Sequence, residues 1–398
     1  MYHNHPPSYE IRRFVRDSEM CPYLLRDGVP LVLPNLWIEE LRISMRPNTL
    51  ESYLRDVSII YKWAESKSVN IEERFSSLRG LTTSELTSVA RKLCSTKLGP
   101  AARSTCLRRL ESVRNYIKFI YDYNIENARI SLLEQVQAEK NCTNQIRKLT
   151  KRMIRNSNLS PEPGCSTDLT PSQLKVILTA INPSSPSNCF KEERMRVRNY
   201  VIILLALETF ARRSELVLLE TTDLDLGFEP TVTIKKPSAI NQLKRRDGAS
   251  MKTRGRVIPI SLDLASAIRF YINHIRDDFL VPKRPTTALF LSARDGRRIA
   301  SMTFNHILRK VAQIPEIKQL GARVHPHGLR STGATNTRRK IDEKGVSSGI
   351  EVEEVMSYLG GWVEGSPMVR RYTKAALSEK LGAIVRGKKT LLDRVDRQ

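Results

Sequence analysis

From Arg46 onward, apolar residues recur at three- and four-residue steps: Leu50, Tyr53, Leu54, Val57, Ile60, Tyr61 and Ala64. That spacing predicts an amphipathic helix, with Asn48 or Thr49 placed to cap it. Thr82-Thr-Ser opens a second helix with Leu86, Val89, Ala90 and Leu93 on one face. A third runs through Leu107, Leu110, Val113, Ile117, Ile120 and Tyr121, and its opposite face carries Arg103, Arg108, Arg109, Arg114 and Lys118. The first forty residues mix Pro, Tyr and charge with little periodicity and read as an arm. Residues 41–155 therefore read as a small all-helical domain with a basic face.

Residues 156–168 are rich in Ser, Pro, Asn and Gly, which marks a linker. Thr170-Pro171 then opens a helix with proline at its first position, followed by a very apolar helix at 198–210. Two short β-rich runs, 230–235 and 256–260, flank the basic stretch Lys244-Arg-Arg-Asp-Gly-Ala-Ser-Met-Lys-Thr-Arg-Gly-Arg256. The expected architecture is mainly α with a small β-sheet: a helical N-terminal domain, a linker, and an α+β domain over 169–398.

Composition narrows the function. Sixty-six Lys and Arg against 42 Asp and Glu give 66 − 42 = +24. Such self-repulsion suits a polyanionic partner, nucleic acid first and an anionic membrane surface second. The longest apolar run, Tyr200–Leu207, is far shorter than the ~20 residues of a spanning helix. The N-terminus lacks the pattern of a cleaved signal, and six cysteines without a C-x-x-C pair read as reduced thiols, so a cytoplasmic protein is expected. His3-x-His5 and His325-x-His327 have no Cys, Asp or Glu at ligand spacing, so no metal is expected. No phosphate-binding glycine loop appears, and no cofactor is expected.

Four places carry chemistry. Thr209-Phe-Ala-Arg-Arg-Ser-Glu-Leu216 ends the apolar helix in two arginines, which calls for an anion, although Arg212 pairing with Glu215 or Asp223 would also satisfy it. The basic stretch between the β-runs suits phosphate contacts through Lys244, Arg245, Arg246 and Arg254. His327 and Arg330 lie three apart, placing an imidazole and a guanidinium on one helix face. Leu359-Gly-Gly-Trp362 precedes Met368-Val-Arg-Arg-Tyr372, a basic segment bearing a tyrosine.

Taken in order, these boxes resemble the tyrosine recombinase (phage integrase) family. Its T-G-x-R-x-S-E-L box is matched by Thr209–Leu216, its hairpin lysine by Lys252, its H-x-L-R box by His327–Arg330, and its M-V-x-R-Y box by Met368–Tyr372. Thr49-Leu-Glu-Ser-Tyr-Leu-Arg-Asp56 looks like the family's core-binding (SAM-like) domain. Three departures stand out: Phe210 replaces the usual glycine, Ser331 stands where many members have a second histidine, and Trp362 lies ten residues before Tyr372 rather than nine.

The resemblance implies a catalytic set of Arg212, Lys252, His327, Arg330, Trp362 and the nucleophile Tyr372. It also implies double-stranded DNA as substrate, a 3′-phosphotyrosyl intermediate without metal or ATP, and a homotetramer on paired sites, serving a mobile element in a bacterial-type cytoplasm at the nucleoid. A type IB topoisomerase-like nicking enzyme and a non-catalytic DNA-binding regulator of the same fold are the alternatives. A generic RNA-binding protein has no supporting signature.

Overall fold

The computed structural model describes residues 8–17, 19–157, 168–235, 255–281, 285–343, 349–363, 365–366 and 369. The chain divides into two compact units, Met1–Gly164 and Cys165–Gln398.

In the first unit, residues 9–30 do not form the arm that their irregular sequence suggested. They form an antiparallel meander of β1 (Tyr9–Arg16), β2 (Glu19–Arg26) and β3 (Val29–Pro30). The pattern is hard to read because ion pairs, as well as apolar side chains, fasten this sheet. Arg13 pairs with Glu51, Arg16 with Glu39 and Arg26 with Glu65, while Leu24 and Leu25 are buried. Next come α1 (Val32–Leu41), α2 (Pro47–Ser66), α3 (Ile71–Ser76), α4 (Thr83–Leu93), the two-residue strands β4 (Ser95–Thr96) and β5 (Gly99–Pro100), α5 (Arg103–Asn127) and α6 (Leu132–Ser157).

The apolar stripe of α2 is buried as its spacing required, but the cap differs. Pro47 occupies the first turn, Arg46 is the N-cap, and the Asn48 side chain instead accepts a hydrogen bond from Arg13. Helix α4 begins with a complete capping box between Thr82 and Glu85.

The second unit contains α7 (Pro171–Ile181), α8 (Glu193–Thr209), α9 (Arg213–Leu218), β6 (Leu224–Asp225), β7 (Thr231–Ile234), β8 (Arg256–Pro259), α10 (Leu262–Phe270), α11 (Ser301–Val311), α12 (Pro315–Gln319), α13 (Pro326–Glu343) and α14 (Gly349–Gly360). Strands β6-β7-β8 form one antiparallel sheet in that order, with Val232 opposite Ile258 and Ile234 opposite Arg256. Helix α8 lies at the centre of the core, with Val201, Ile202, Ile203 and Leu205 fully buried. Helix α13 crosses it so closely that a Cβ on Gly333 would meet the Leu207 carbonyl oxygen at 2.1 Å. Only glycine permits that approach.

Several arginines in this unit face carbonyls rather than solvent. Arg198, 1% exposed, donates to the Leu291 carbonyl at 2.7 Å, and burial lowers its pKa to about 10. Arg276 donates to the Thr286 and Ala288 carbonyls, and Arg298 to those of Leu218 and Leu219. Part of the net positive charge therefore serves internal stitching. Among the described residues no helix is long and apolar enough to cross a membrane.

Candidate active site and nucleic-acid interface

Helix α8 ends at Phe210, whose φ of 47° is left-handed. The position therefore demands the backbone that glycine adopts freely, and a phenylalanine holds it under strain. What compensates is packing. The Phe210 ring is 1% exposed and belongs to a small cluster with Ala334, Val352, Met356, Trp362 and Val369.

The reversal at Phe210 delivers Arg212 as the N-cap of α9. Glu215, three residues on, accepts from the Arg212 amide at 2.9 Å and from its guanidinium at 3.3 Å. Of the two partners considered for Arg212, Glu215 is the one used; Asp223 instead takes Lys235 at 2.6 Å. Glu215 is buried and also receives Arg256 from β8 at 2.8 Å, the two side chains being 0% and 1% exposed. A single carboxylate thus braces two guanidinium groups. The Arg212 side chain keeps 28% exposure and can still meet an incoming anion.

Arg330 lies on α13 and is 2% exposed. It donates to the Phe210 carbonyl and, at 2.8 Å, to the Gly360 carbonyl at the end of α14, while its guanidinium carbon lies 5.3 Å from the Trp362 ring centre. Arg256 donates through Nε to the neighbouring Leu359 carbonyl at 2.8 Å. Two cations thus gather at the negative end of α14. Trp362 is buried at 7% and packs over Gly360, where a Cβ would come within 2.5 Å of the indole.

Ahead of Arg330, the Gly328 amide at the start of α13 donates to His325 Nδ1 at 3.1 Å. Burial first, and then the charge of Arg323, holds the His325 pKa below its ordinary value. His327 is exposed, and its ring lies parallel to that of His325 with centres 6.4 Å apart. Ser331 points away from this turn and donates to Asp168, which also accepts from Thr335 at 2.7 Å. The residue that replaces a second histidine therefore fastens the start of the unit to α13.

The structure brings Arg330 and Trp362 into contact, sets Arg212 two residues after the Phe210 carbonyl that holds Arg330, and leaves His327 exposed at the helix start. Lys252 and Tyr372 lie outside the described residues, as do Lys244, Arg245, Arg246 and Arg254. The other tyrosine of this region, Tyr358, has its hydroxyl engaged with both the amide and the carbonyl of Val257, at 3.2 and 3.1 Å. Glu215 was one of the two partners that the sequence offered for Arg212; Arg256 was not singled out from sequence. The signal for Arg256 was there: alternation along β8 buries residues 256 and 258 and exposes 257 and 259.

On the first unit, Arg103, Arg108 and Arg114 are exposed on α5. Arg108 donates to Ser52 at 2.7 Å and to the buried Asp56, which also accepts from Ser112 at 2.8 Å. Burial keeps the Asp56 pKa raised, against the lowering influence of those partners. Arg109 departs from the expected DNA-facing role. Its side chain is 14% exposed and donates to the Leu93 and Ser95 carbonyls at 2.6 and 2.9 Å, tying the end of α4 to the hairpin.

The sequence model of the phage integrase family matches residues 167–379, more than half of the chain. The chain belongs to the phage integrase family. It is a site-specific tyrosine recombinase. No curated protein sequence matches it. Among solved structures, the recombinase is similar to the Tn1549 transposon integrase in complex with transposon right-end DNA, at 15% identity and a TM-score of 0.44 over 88% of this chain and 100% of that one. It is similar to XerA recombinase at 16% identity and 0.38 over 90% and 98%, and to XerH bound to difH at 14% and 0.42 over 90% and 95%.

Proposed function

We propose that this recombinase cleaves and rejoins DNA strands at one phosphate held by Arg212 and Arg330, with Tyr372 as nucleophile. The observation that carries the reading is the turn at Phe210. Its carbonyl holds Arg330, Arg212 follows two residues later, and its ring packs in the cluster that contains Trp362 and Val369. Val369 is 5% exposed, and the three-residue step from it to Tyr372 spans at most about 11 Å.

In the cleavage step the Tyr372 oxygen forms a bond to phosphorus, and the bond from phosphorus to the 5′ oxygen breaks. The phenol proton passes to His327, which is exposed and able to exchange it. The leaving 5′ oxygen takes a proton from Lys252. Negative charge growing on the non-bridging oxygens is met by guanidinium donors already fixed by Glu215 and by the Phe210 and Gly360 carbonyls. Such preorganisation carries no reorganisation cost at the moment of reaction. The bond energy stays in the phosphotyrosyl link, and the freed 5′ hydroxyl of a partner strand reverses the step.

Arg103, Arg108 and Arg114 supply sequence-independent phosphate contacts from the first unit, together with Lys244, Arg245, Arg246 and Arg254. The working assembly is a homotetramer on two sites, acting at the nucleoid. The test is a plasmid carrying two copies of the DNA that flanks the gene, incubated with the enzyme in EDTA without nucleotide. Recombinant junctions support the reading; relaxation of the plasmid with no junction product would replace recombination by topoisomerase-like nicking.

A further inference from the structure

Helix α13, which carries Arg330, is held from outside by hydrogen bonds that the cleavage chemistry does not use. Its early turns read Gly328-Leu-Arg-Ser-Thr-Gly-Ala-Thr-Asn-Thr337, and only Leu329, Arg330 and Ala334 in that run are strong helix formers. Such a segment keeps its shape and its rotation through tertiary contacts rather than through propensity. Asp168 supplies them: one carboxylate oxygen accepts from the Ser331 hydroxyl and the other from Thr335 at 2.7 Å. Ser331 and Thr335 are four residues apart and share a face of the helix. Leu169, the next residue, donates its amide to Thr332 Oγ1 at 2.8 Å, and that hydroxyl donates to the Gly328 carbonyl at 2.8 Å. Ser331, Thr332 and Thr335 are all buried.

The anchor is itself well fixed. Leu169 is 3% exposed and belongs to the main core, and Thr170 begins α7 with a complete capping box to Gln173. The crossing at Gly333 sets how near α13 comes to α8, and Asp168 grips residues on either side of that crossing. Arg330 immediately precedes Ser331, so the grip falls on the turn from which its guanidinium reaches the Phe210 and Gly360 carbonyls. A rotation of about 10° about the α13 axis would move a group about 6 Å from that axis by about 1 Å. A misplacement of about 1 Å can cost about 100-fold in rate.

We infer that Asp168 is a positioning residue: through Ser331 and Thr335 it fixes the rotation of α13, and with it the placement of Arg330 against the scissile phosphate. The inference rests on the cleavage chemistry proposed above. Asp168 acts through the helix it holds. The serine that stands where many members of the family have a histidine is the donor this carboxylate requires.

Sulfur in place of one non-bridging oxygen of the scissile phosphate reports on Arg330 separately from general instability. Sulfur accepts hydrogen bonds weakly, so its cost is large where a guanidinium meets the replaced oxygen and small where none does. The two diastereomers of a nicked duplex drawn from the DNA flanking the gene place it at one oxygen or the other. Covalent adduct formation is timed at saturating enzyme for wild type, Asp168→Asn, Ser331→Ala and Arg330→Lys, on the ordinary duplex and on both sulfur forms. Arg330→Lys identifies the diastereomer that Arg330 senses. Asp168→Asn keeps one acceptor and removes the other. Ser331→Ala removes a donor while raising helix propensity, and urea midpoints show that each variant is folded.

Wild type is expected to slow about 5-fold or more with sulfur at each position. Asp168→Asn should cleave the ordinary duplex about 5- to 50-fold more slowly than wild type. Its sulfur cost at the Arg330 position should fall to that of Arg330→Lys, while the cost at the other position stays within about twofold of wild type. Ser331→Ala should change in the same direction. An unchanged sulfur cost at the Arg330 position in both variants, or an equal fall at both positions, would overturn the positioning role and leave the cleavage reading standing. No adduct from wild type, no sulfur cost in wild type, or a wild-type sulfur cost at both positions in Arg330→Lys would overturn the cleavage reading, and the positioning role with it.

Discussion

Replacing Phe210 puts two opposing effects on one residue. The backbone there is left-handed, with φ at 47°, which costs a non-glycine residue about 1–2 kcal/mol. The ring is 1% exposed beside Trp362 and Met356, and truncating such a phenylalanine to alanine costs about 3–5 kcal/mol. Phe210→Ala loses the packing and keeps the strain. Phe210→Gly loses the same packing, relieves the strain, and gives back about 0.5–1 kcal/mol through the freer unfolded chain. The glycine variant should therefore fall about 1.5–5 kcal/mol below wild type yet lie about 0–1.5 kcal/mol above the alanine variant, reversing their usual order. The assay is urea titration of the full chain, read by hydrogen exchange of peptides covering 198–218 so that the second unit is followed on its own. An alanine variant clearly more stable than the glycine variant would show that the turn stores no strain and that Phe210 does not define the approach to Arg212.

Other consequences follow from the same contacts. Arg103→Ala and Arg114→Ala should weaken DNA binding and each reduce the salt slope by about 1. Arg109→Ala should instead lower the urea midpoint and leave the slope unchanged; fluorescence anisotropy across a salt series separates the two. Glu215→Gln leaves Arg256 buried without its counter-charge and should cost about 3–5 kcal/mol in urea unfolding, with a loss below ~1 kcal/mol refuting the brace. His325 has a depressed folded pKa, so the unfolded chain takes up the proton first as pH falls. Its contribution is complete above the unfolded value and is lost as pH drops from there through the folded value, because burial first and then the Arg323 charge disfavour the charged ring. Urea midpoints at pH 7.5 and 5.5 should diverge in wild type and converge in His325→Asn.

Periodicity revealed α2 and α5 through their apolar stripes, although the same buried faces also hold Asp56, Ser58 and Ser112 and Leu107 is exposed, and the start of α7 was legible from Thr170-Pro171. The N-terminal meander escaped because Pro22 and Pro30 interrupt it and because Arg13 and Arg16 reach Glu51 and Glu39 only in three dimensions. Arg212, Arg330 and Trp362 could be found as boxes because each lies at a turn or a helix end that the chain marks with Gly, Ser or Glu. Glu215 was legible as a partner of Arg212 in the first box, but Arg256 could not be weighed that way, since its importance lies in a pairing 41 residues apart. Net charge misled in one respect. Arg109, Arg198, Arg276 and Arg298 add to the apparent affinity for a polyanion, yet their donors face carbonyls inside the fold.

The most direct measurement is to map the attachment site on the covalent adduct. The wild-type enzyme is incubated with nicked duplexes from the DNA flanking its gene, the complex is denatured and digested, and the peptide bearing the nucleotide remnant is sequenced by mass spectrometry. The proposed chemistry predicts a phosphodiester bond to Tyr372 and no adduct from Tyr372→Phe. A nucleotide attached to Tyr358 or any other residue, or an undiminished adduct from Tyr372→Phe, would contradict it.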